Sequence, residues 1–264
     1  MFKSLIKLLM SPHRASFKPS ERTNPLIILG NGPSLNQTLA ESAEALAATP
    51  LMAVNFFANT PLFHELKPEF YVLADPHFFR NASDPNVRKL MENIETADWP
   101  MTLFVPFEAK PMIANKNIRI QRFPLKAMEG PGRFRRLMFS LRLGMPRPRN
   151  VLIPSIMIGI WLGFKEIYIC GADHTWIKTL SVNDRNEVIS VQPHFYKEDD
   201  RELERQRVDY LSIPLHQILE SQSIAFRAYH TIQDYASRRD INIYNATPGS
   251  FIDAFTRKQL WTRK

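Results

Sequence analysis

The stretch Ile27-Ile28-Leu29-Gly30-Asn31-Gly32-Pro33-Ser34-Leu35 decides how this chain is read. An aliphatic run enters two glycines that flank an asparagine, and proline and serine, both helix-start residues, follow. The pattern predicts a buried strand, a tight turn and a helix. It is neither G-x-G-x-x-G nor a Walker loop, because no Lys-Ser/Thr follows. Backbone N–H groups from Asn31 onward would sit at a helix mouth, where partial positive charge favours an anion. The glycines would let a phosphate approach, and Asn31 offers a donor and an acceptor to a ribose or base edge. A tight strand–helix turn that holds no ligand is the competing reading.

Outward from this turn, short apolar runs alternate with helical patterns. Strands are expected at Leu26–Leu29, Leu51–Val54, Phe70–Ala74, Thr102–Val105, Ile118–Ile120, Ile167–Cys170 and Ile241–Tyr244. Helices are expected at Leu35–Ala48, around Val87–Asn93, and at Phe134–Leu143, Ser155–Leu162, Leu203–Tyr235 (broken at Pro214) and Phe251–Lys258. Such alternation predicts an α/β, Rossmann-like fold: a mainly parallel sheet with helices on both faces, plus a basic helical insert and a lid-like loop. Ser155–Leu162 is apolar all round and should be a buried helix, with Met157 and Trp161 in the core and Gly159 allowing close packing.

Most of the expected strands end on a polar or glycine signal: Asn31, Asn55, Asp75, Asp173 and Asn245 each follow one. In open parallel sheets ligands bind beyond the carboxyl ends of the strands. The five together would line one polar rim. Taken singly, each also suits an Asx-turn or helix cap.

The chain has 264 residues, a net charge of +8, 20 prolines, 9 glycines and one cysteine. That length suits one α/β domain with decorations. The basic balance favours anionic partners. The lone Cys170 excludes an internal disulfide, no Cys/His cluster has zinc spacing, and a reducing, cytoplasmic setting is expected. No recognised nucleic-acid-binding module is present, so no nucleic-acid partner is expected. The longest apolar stretch, Val151 to Phe164, is too short to span a bilayer. Residues 1–24 read as a basic amphipathic start, "MFKSLIKLLM", and a linker; residues 25–264 read as one nucleotide-binding catalytic domain. The start allows peripheral contact with an anionic membrane at its inner face.

"LGNGPSL", then "AVNFF", an apolar strand ending in "ADP", and "LGFKEIYICGAD" together resemble two related groups over about residues 25–175. One is the family 42 glycosyltransferases, bacterial sialyltransferases with a CMP-activated donor. The other is the MptE-like 6-hydroxymethylpterin diphosphokinase family. The transferase resemblance implies that Asn31 and Asn55 contact the nucleotide, with Gly30, Gly32, Pro33, Ser34, Gly171 and Asp173 around them. Asp75 stands where those enzymes have Asn, and the diphosphokinase resemblance implies instead that Asp75 and Asp173 hold Mg2+. Thr175 stands where the transferases have a tyrosine.

The transferase resemblance also implies a histidine base from a mobile segment. "VQPHFYKEDD" offers His194, within a polar, lid-like stretch over 177–202. A neutral imidazole suits removal of a hydroxyl proton, and His174, directly after Asp173, is the rival. The basic run Arg133 to Arg149 holds six arginines, and an apolar face of Phe134, Leu137, Met138 and Leu141 is expected to pack on the core. The resulting expectation is a nucleotide-sugar-dependent, sialyltransferase-like glycosyltransferase of bacterial surface polysaccharide or lipopolysaccharide assembly, acting on a glycan or lipid-linked acceptor. The alternatives are a Mg2+-dependent pterin diphosphokinase and a non-catalytic nucleotide-binding or membrane-associated protein.

Overall fold

A computed structural model describes Ser4, Ile6, 13–15, Phe17, 22–81, 83–190, Phe195 and 213–261. Eight parallel strands form one sheet: β1 (Leu26–Leu29), β2 (Leu51–Val54), β3 (Phe70–Val72), β4 (Met101–Pro106), β5 (Ile118–Phe123), β6 (Glu166–Cys170), β9 (Asn242–Asn245) and β10 (Thr256–Arg257). Their order is β10-β9-β6-β1-β2-β3-β4-β5. A separate antiparallel hairpin, β7 (Ser181–Val182) with β8 (Val188–Ile189), lies in the stretch expected to be a lid.

The helices are α1 (Leu35–Glu41), α2 (Ala43–Ala48), α3 (Leu62–Leu66), α4 (His77–Arg80), α5 (Pro85–Glu95), α6 (Gly132–Ser140), α7 (Leu152–Leu162) and α8 (Leu215–Ser237). The central strands are apolar at every position because both faces are covered. Leu26 and Ile28 face a core built with α7 and α8. Ile27 and Leu29 face the other core, with α1, α2 and α5. Every residue of α7 is buried, and a Cβ at Gly159 would come within 2.9 Å of Leu26 Cδ2.

All seven expected strands are present. Two helical expectations are corrected, and the expected break at Pro214 is present. Leu35–Ala48 is two helices, broken at Ser42. In the Leu203–Tyr235 stretch, the described helix starts after Pro214, which cannot supply a backbone N–H; residues 203–212 lie outside the described set. Phe251–Lys258 is not a helix. Its Thr256 and Arg257 pair with Tyr244 and Asn245 as the edge strand of the sheet, and Asn245 Nδ2 takes the carbonyl of Ile252. The linker expectation for residues 11–24 also changes: Ala15 and Phe17 are buried, and Phe17 packs edge-on against Phe104 at 5.1 Å.

The chain reverses direction about β1. Strands β2 to β5 extend one way, and β6, β9 and β10 lie on the other side. The turns after β1 and β6 therefore meet at the switch point, where open sheets leave a crevice. The next turn along, after β2, is fixed from β3. Tyr71 is fully buried; its hydroxyl donates to the Asn55 carbonyl at 2.5 Å and accepts from Ala58 N–H at 2.8 Å. Tyr71→Phe leaves both backbone groups buried without this partner and should cost about 1–3 kcal/mol, read as a lowered midpoint in urea unfolding.

Candidate functional site

The two turns at the switch point are joined backbone to backbone. Gly30 N–H donates to Cys170 O and Gly32 N–H to Gly171 O, both at 2.8 Å. A Cβ at Gly30 would collide with Gly171 O, one at Gly32 with the Asp173 carboxylate, and one at Gly171 would meet Gly30 O at 2.6 Å. Gly171 also sits at φ +63°, a left-handed conformation that favours glycine. The glycines thus serve the contact between the turns.

The helix mouth is likewise occupied from within. Ser34 N–H and Oγ donate to Asp173 Oδ1 and Oδ2 at 3.3 and 2.8 Å. Leu35 and Asn36 N–H groups bond to Gly32 and Pro33 carbonyls. The expected open anion cradle at α1 is filled by a carboxylate of the protein itself. Burial raises the Asp173 pKa above its usual range, and the bonds from Ser34 oppose that shift.

Beyond these turns lies a cleft of about 1010 Å3. Gly30, Asn31, Gly32 and Pro33 line it, and so do Asn55, Asp75, Gly171, Asp173 and His174. Ser34 stands behind that surface, holding Asp173. The opposite wall comes from Arg149 and Asn150 before α7 and from the first turns of α8, including His216 and Gln222. His194 and the rest of 191–194 and 196–212 lie outside the described residues. Phe195 is described. Its N–H donates to Asn31 O at 2.9 Å, its carbonyl accepts from Asn36 Nδ2 at 3.0 Å, and its ring lies 5.7 Å from that of Phe57.

Three amide oxygens give the cleft its character. Asn31 Nδ2 donates to Val54 O at 3.2 Å, tying the β1 turn to the end of β2. Asn31 Oδ1, Asn55 Oδ1 and Gln222 Oε1 are buried and accept no hydrogen bond from any described residue. Buried acceptors of this kind call for donors. Arg149 is exposed on the cleft wall and makes no ion pair or hydrogen bond among the described residues.

His174 is a structural part of this wall. It is buried at φ +53°, and its Nε2 lies 2.7 Å from the Tyr229 hydroxyl. That hydroxyl donates to Asn150 Oδ1 at 2.9 Å, which also accepts from Leu152 N–H at the start of α7. The Trp176 ring covers the imidazole at 4.2 Å. Burial pushes the His174 pKa down to about 3, so it is a weak base at neutral pH. Asp75 is exposed, and its Oδ1 accepts from His77 N–H at 2.8 Å, in the manner of a helix cap. Asn245 is buried away from the cleft; it bonds Thr247 N–H, Ser250 Oγ and Ile252 O, the Asx-turn role.

With this geometry in view, one similar solved structure is informative. It is the MAf glycosyltransferase from Magnetospirillum magneticum AMB-1, which matches with a TM-score of 0.53 at 13% identity over 93% of this chain. The fold is shared with a glycosyltransferase. The chain spans 34% of the length of that protein. No family model and no curated protein matches the chain.

Sequence reasoning brought the two glycine turns, Asn55 and Asp75 to one cleft. It missed Gln222 and Tyr229, which sit on a long helix far along the chain, and Asn150, whose only signal is its place just before an apolar helix. The buried imidazole gives a pH prediction. Between its unfolded value of 6.5 and about 3 the unfolded chain binds the proton and the native state does not, so stability falls as pH drops through that window. The loss should reach up to about 1.4 kcal/mol per pH unit. Urea midpoints of His174→Gln should lack this share of the slope, and the His174 ring should show no NMR titration above about pH 5.

Proposed function

We propose that this chain is a glycosyltransferase that binds a nucleotide-activated sugar in the switch-point cleft. The carrying observation is the trio of buried acceptors, Asn31 Oδ1, Asn55 Oδ1 and Gln222 Oε1. A nucleotide sugar is rich in the O–H and N–H donors that these oxygens need, and its phosphate suits the Arg149 guanidinium, which has no partner among the described residues. The shared fold with a glycosyltransferase supports the same reading. The resemblance to family 42 enzymes favours a CMP-activated donor and a role in surface polysaccharide or lipopolysaccharide assembly.

Transfer by direct displacement breaks the bond from the sugar's anomeric carbon to the nucleotide and forms one to the acceptor oxygen. The acceptor hydroxyl must lose its proton on the face opposite the leaving group. His194 is assigned that proton; it precedes Phe195, whose backbone is bonded to the Asn31 turn. His174 is a poorer candidate because of its buried, lowered pKa. The diphosphokinase alternative asks Asp75 and Asp173 to hold Mg2+. Both Asp173 oxygens face Ser34, Asp75 Oδ1 caps α4, and no three of His, Cys, Asp or Glu cluster for a metal among the described residues. The donor set therefore favours a metal-independent nucleotide site.

Calorimetry with CMP, UDP, GDP and ATP, each with and without Mg2+, tests the proposal. One of the sugar-carrying nucleotides should bind without metal. Gln222→Leu should weaken it by about 5–30-fold, and Arg149→Ala by about tenfold or more. His194→Ala should abolish transfer while keeping nucleotide affinity. Binding of none of these nucleotides, or binding of ATP alone and only with Mg2+, would overturn the reading.

A further inference from the structure

The basic run from Arg133 to Arg149 is only partly used by the cleft, and its helix is turned differently from the sequence expectation. Along α6, Phe134, Met138 and Phe139 face the core. Leu137 and Leu141, expected to join them, are 54% and 42% exposed. Arg133 precedes Leu137 by one helical turn, is exposed, and has no partner among the described residues. One outward stripe therefore reads Arg133, Leu137, Leu141.

The neighbours of this stripe are mostly cationic. Arg136 and Arg238 share one carboxylate, Asp234, at 3.4 and 3.0 Å. Arg239 bonds Ser140 Oγ at the end of α6 and lies over the Tyr235 ring. Lys165 donates to the Arg239 carbonyl at 3.1 Å. Arg133, Arg136, Arg238, Arg239 and Lys165 thus gather on α6 and the residues bonded to it, with Asp234 as the carboxylate that Arg136 and Arg238 share. At the other end of the helix, Ser4 Oγ donates to Glu129 O and accepts from Glu129 N–H, at 3.0 and 2.9 Å. This seats Ser4 just before the start of α6, and Ile6 is 39% exposed.

We propose that this corner docks on an anionic lipid surface, with Leu137, Leu141 and Ile6 entering the headgroup boundary and the arginines meeting lipid phosphates. Two leucines and an isoleucine are too little apolar area for a stable protein interface, whereas a membrane needs only shallow insertion backed by several cations. Arginine stems lie along an apolar surface while their heads reach charge, which suits a helix lying in the interface plane. No described helix is long and apolar enough to cross a membrane. The inference stands apart from the nucleotide reading of the cleft.

Vesicle co-sedimentation of the full chain tests it, using phosphatidylcholine alone and phosphatidylcholine with about a third phosphatidylglycerol. The chain should bind the anionic vesicles at least about tenfold more strongly and come off at high salt. Arg133→Glu should lower the partition by at least about fivefold, and Leu137→Asp by about tenfold, with thermal melts unchanged. Met112→Asp, at an exposed apolar position outside this helix, should change nothing. Equal binding to neutral vesicles, no binding to either, or binding that survives Arg133→Glu/Leu137→Asp/Leu141→Asp would overturn the proposal. So would a loss of self-association in Leu137→Asp without any lipid binding, which would make the corner an interface between copies of the chain.

Discussion

The contact between the turns after β1 and β6 is the constraint on which the site depends. Neighbouring parallel strands end side by side, and their connections leave in opposite directions along the sheet. Only residues without a Cβ let the two turns close to hydrogen-bonding distance, as Gly30, Gly32 and Gly171 do. Closing them brings Asp173 under the first turn of α1, where Ser34 N–H and Oγ take its two oxygens. A charge that burial disfavours is thereby held at the one helix end whose polarity suits it.

This arrangement changes what the cleft can bind. A free helix mouth would attract a phosphate directly; a filled one turns the floor of the cleft into a rigid polar surface with its cations elsewhere. Among the described residues that line the cleft, the acceptors without a partner are buried amide oxygens, and Arg149 on the far wall is a cation without one. A ligand with hydroxyl or amine donors at one end and an anion at the other matches that division. His174, Tyr229 and Asn150 brace the far wall by linking the β6 turn, α8 and the start of α7 through one buried set of hydrogen bonds. Such a set is costly to leave half-made, so the wall should be stiff.

The fold was legible because its strands are continuous apolar runs and because each ends on a residue that cannot continue a strand. The rim was legible for the same reason: Asn31, Asn55, Asp75 and Asp173 fall at strand ends, and topology then gathers them. What each does there was not legible. Asp173 also caps the first turn of α1, and the glycines also form the packing surface of two turns. Both roles depend on which strands are neighbours, which local sequence does not state. The same holds for Leu137 and Leu141, whose spacing fits a core stripe as well as an outward one; the choice is made by where α6 meets Trp161, whose indole N–H donates to Phe139 O at 2.9 Å. Gln222 and Tyr229 carry no local signal at all, since a helix interior reads alike whether it faces core or cleft.

Amide hydrogen exchange resolved at Gly30, Gly32 and Ser34, with and without nucleotide, tests the closed-turn account most directly. If the turns are locked on Cys170 O, Gly171 O and Asp173, the three amides are protected in the free protein and change little when a nucleotide binds. Rapid exchange in the free protein, with protection appearing only on nucleotide addition, would show that a ligand phosphate and not Asp173 fills the helix mouth, and would contradict the account.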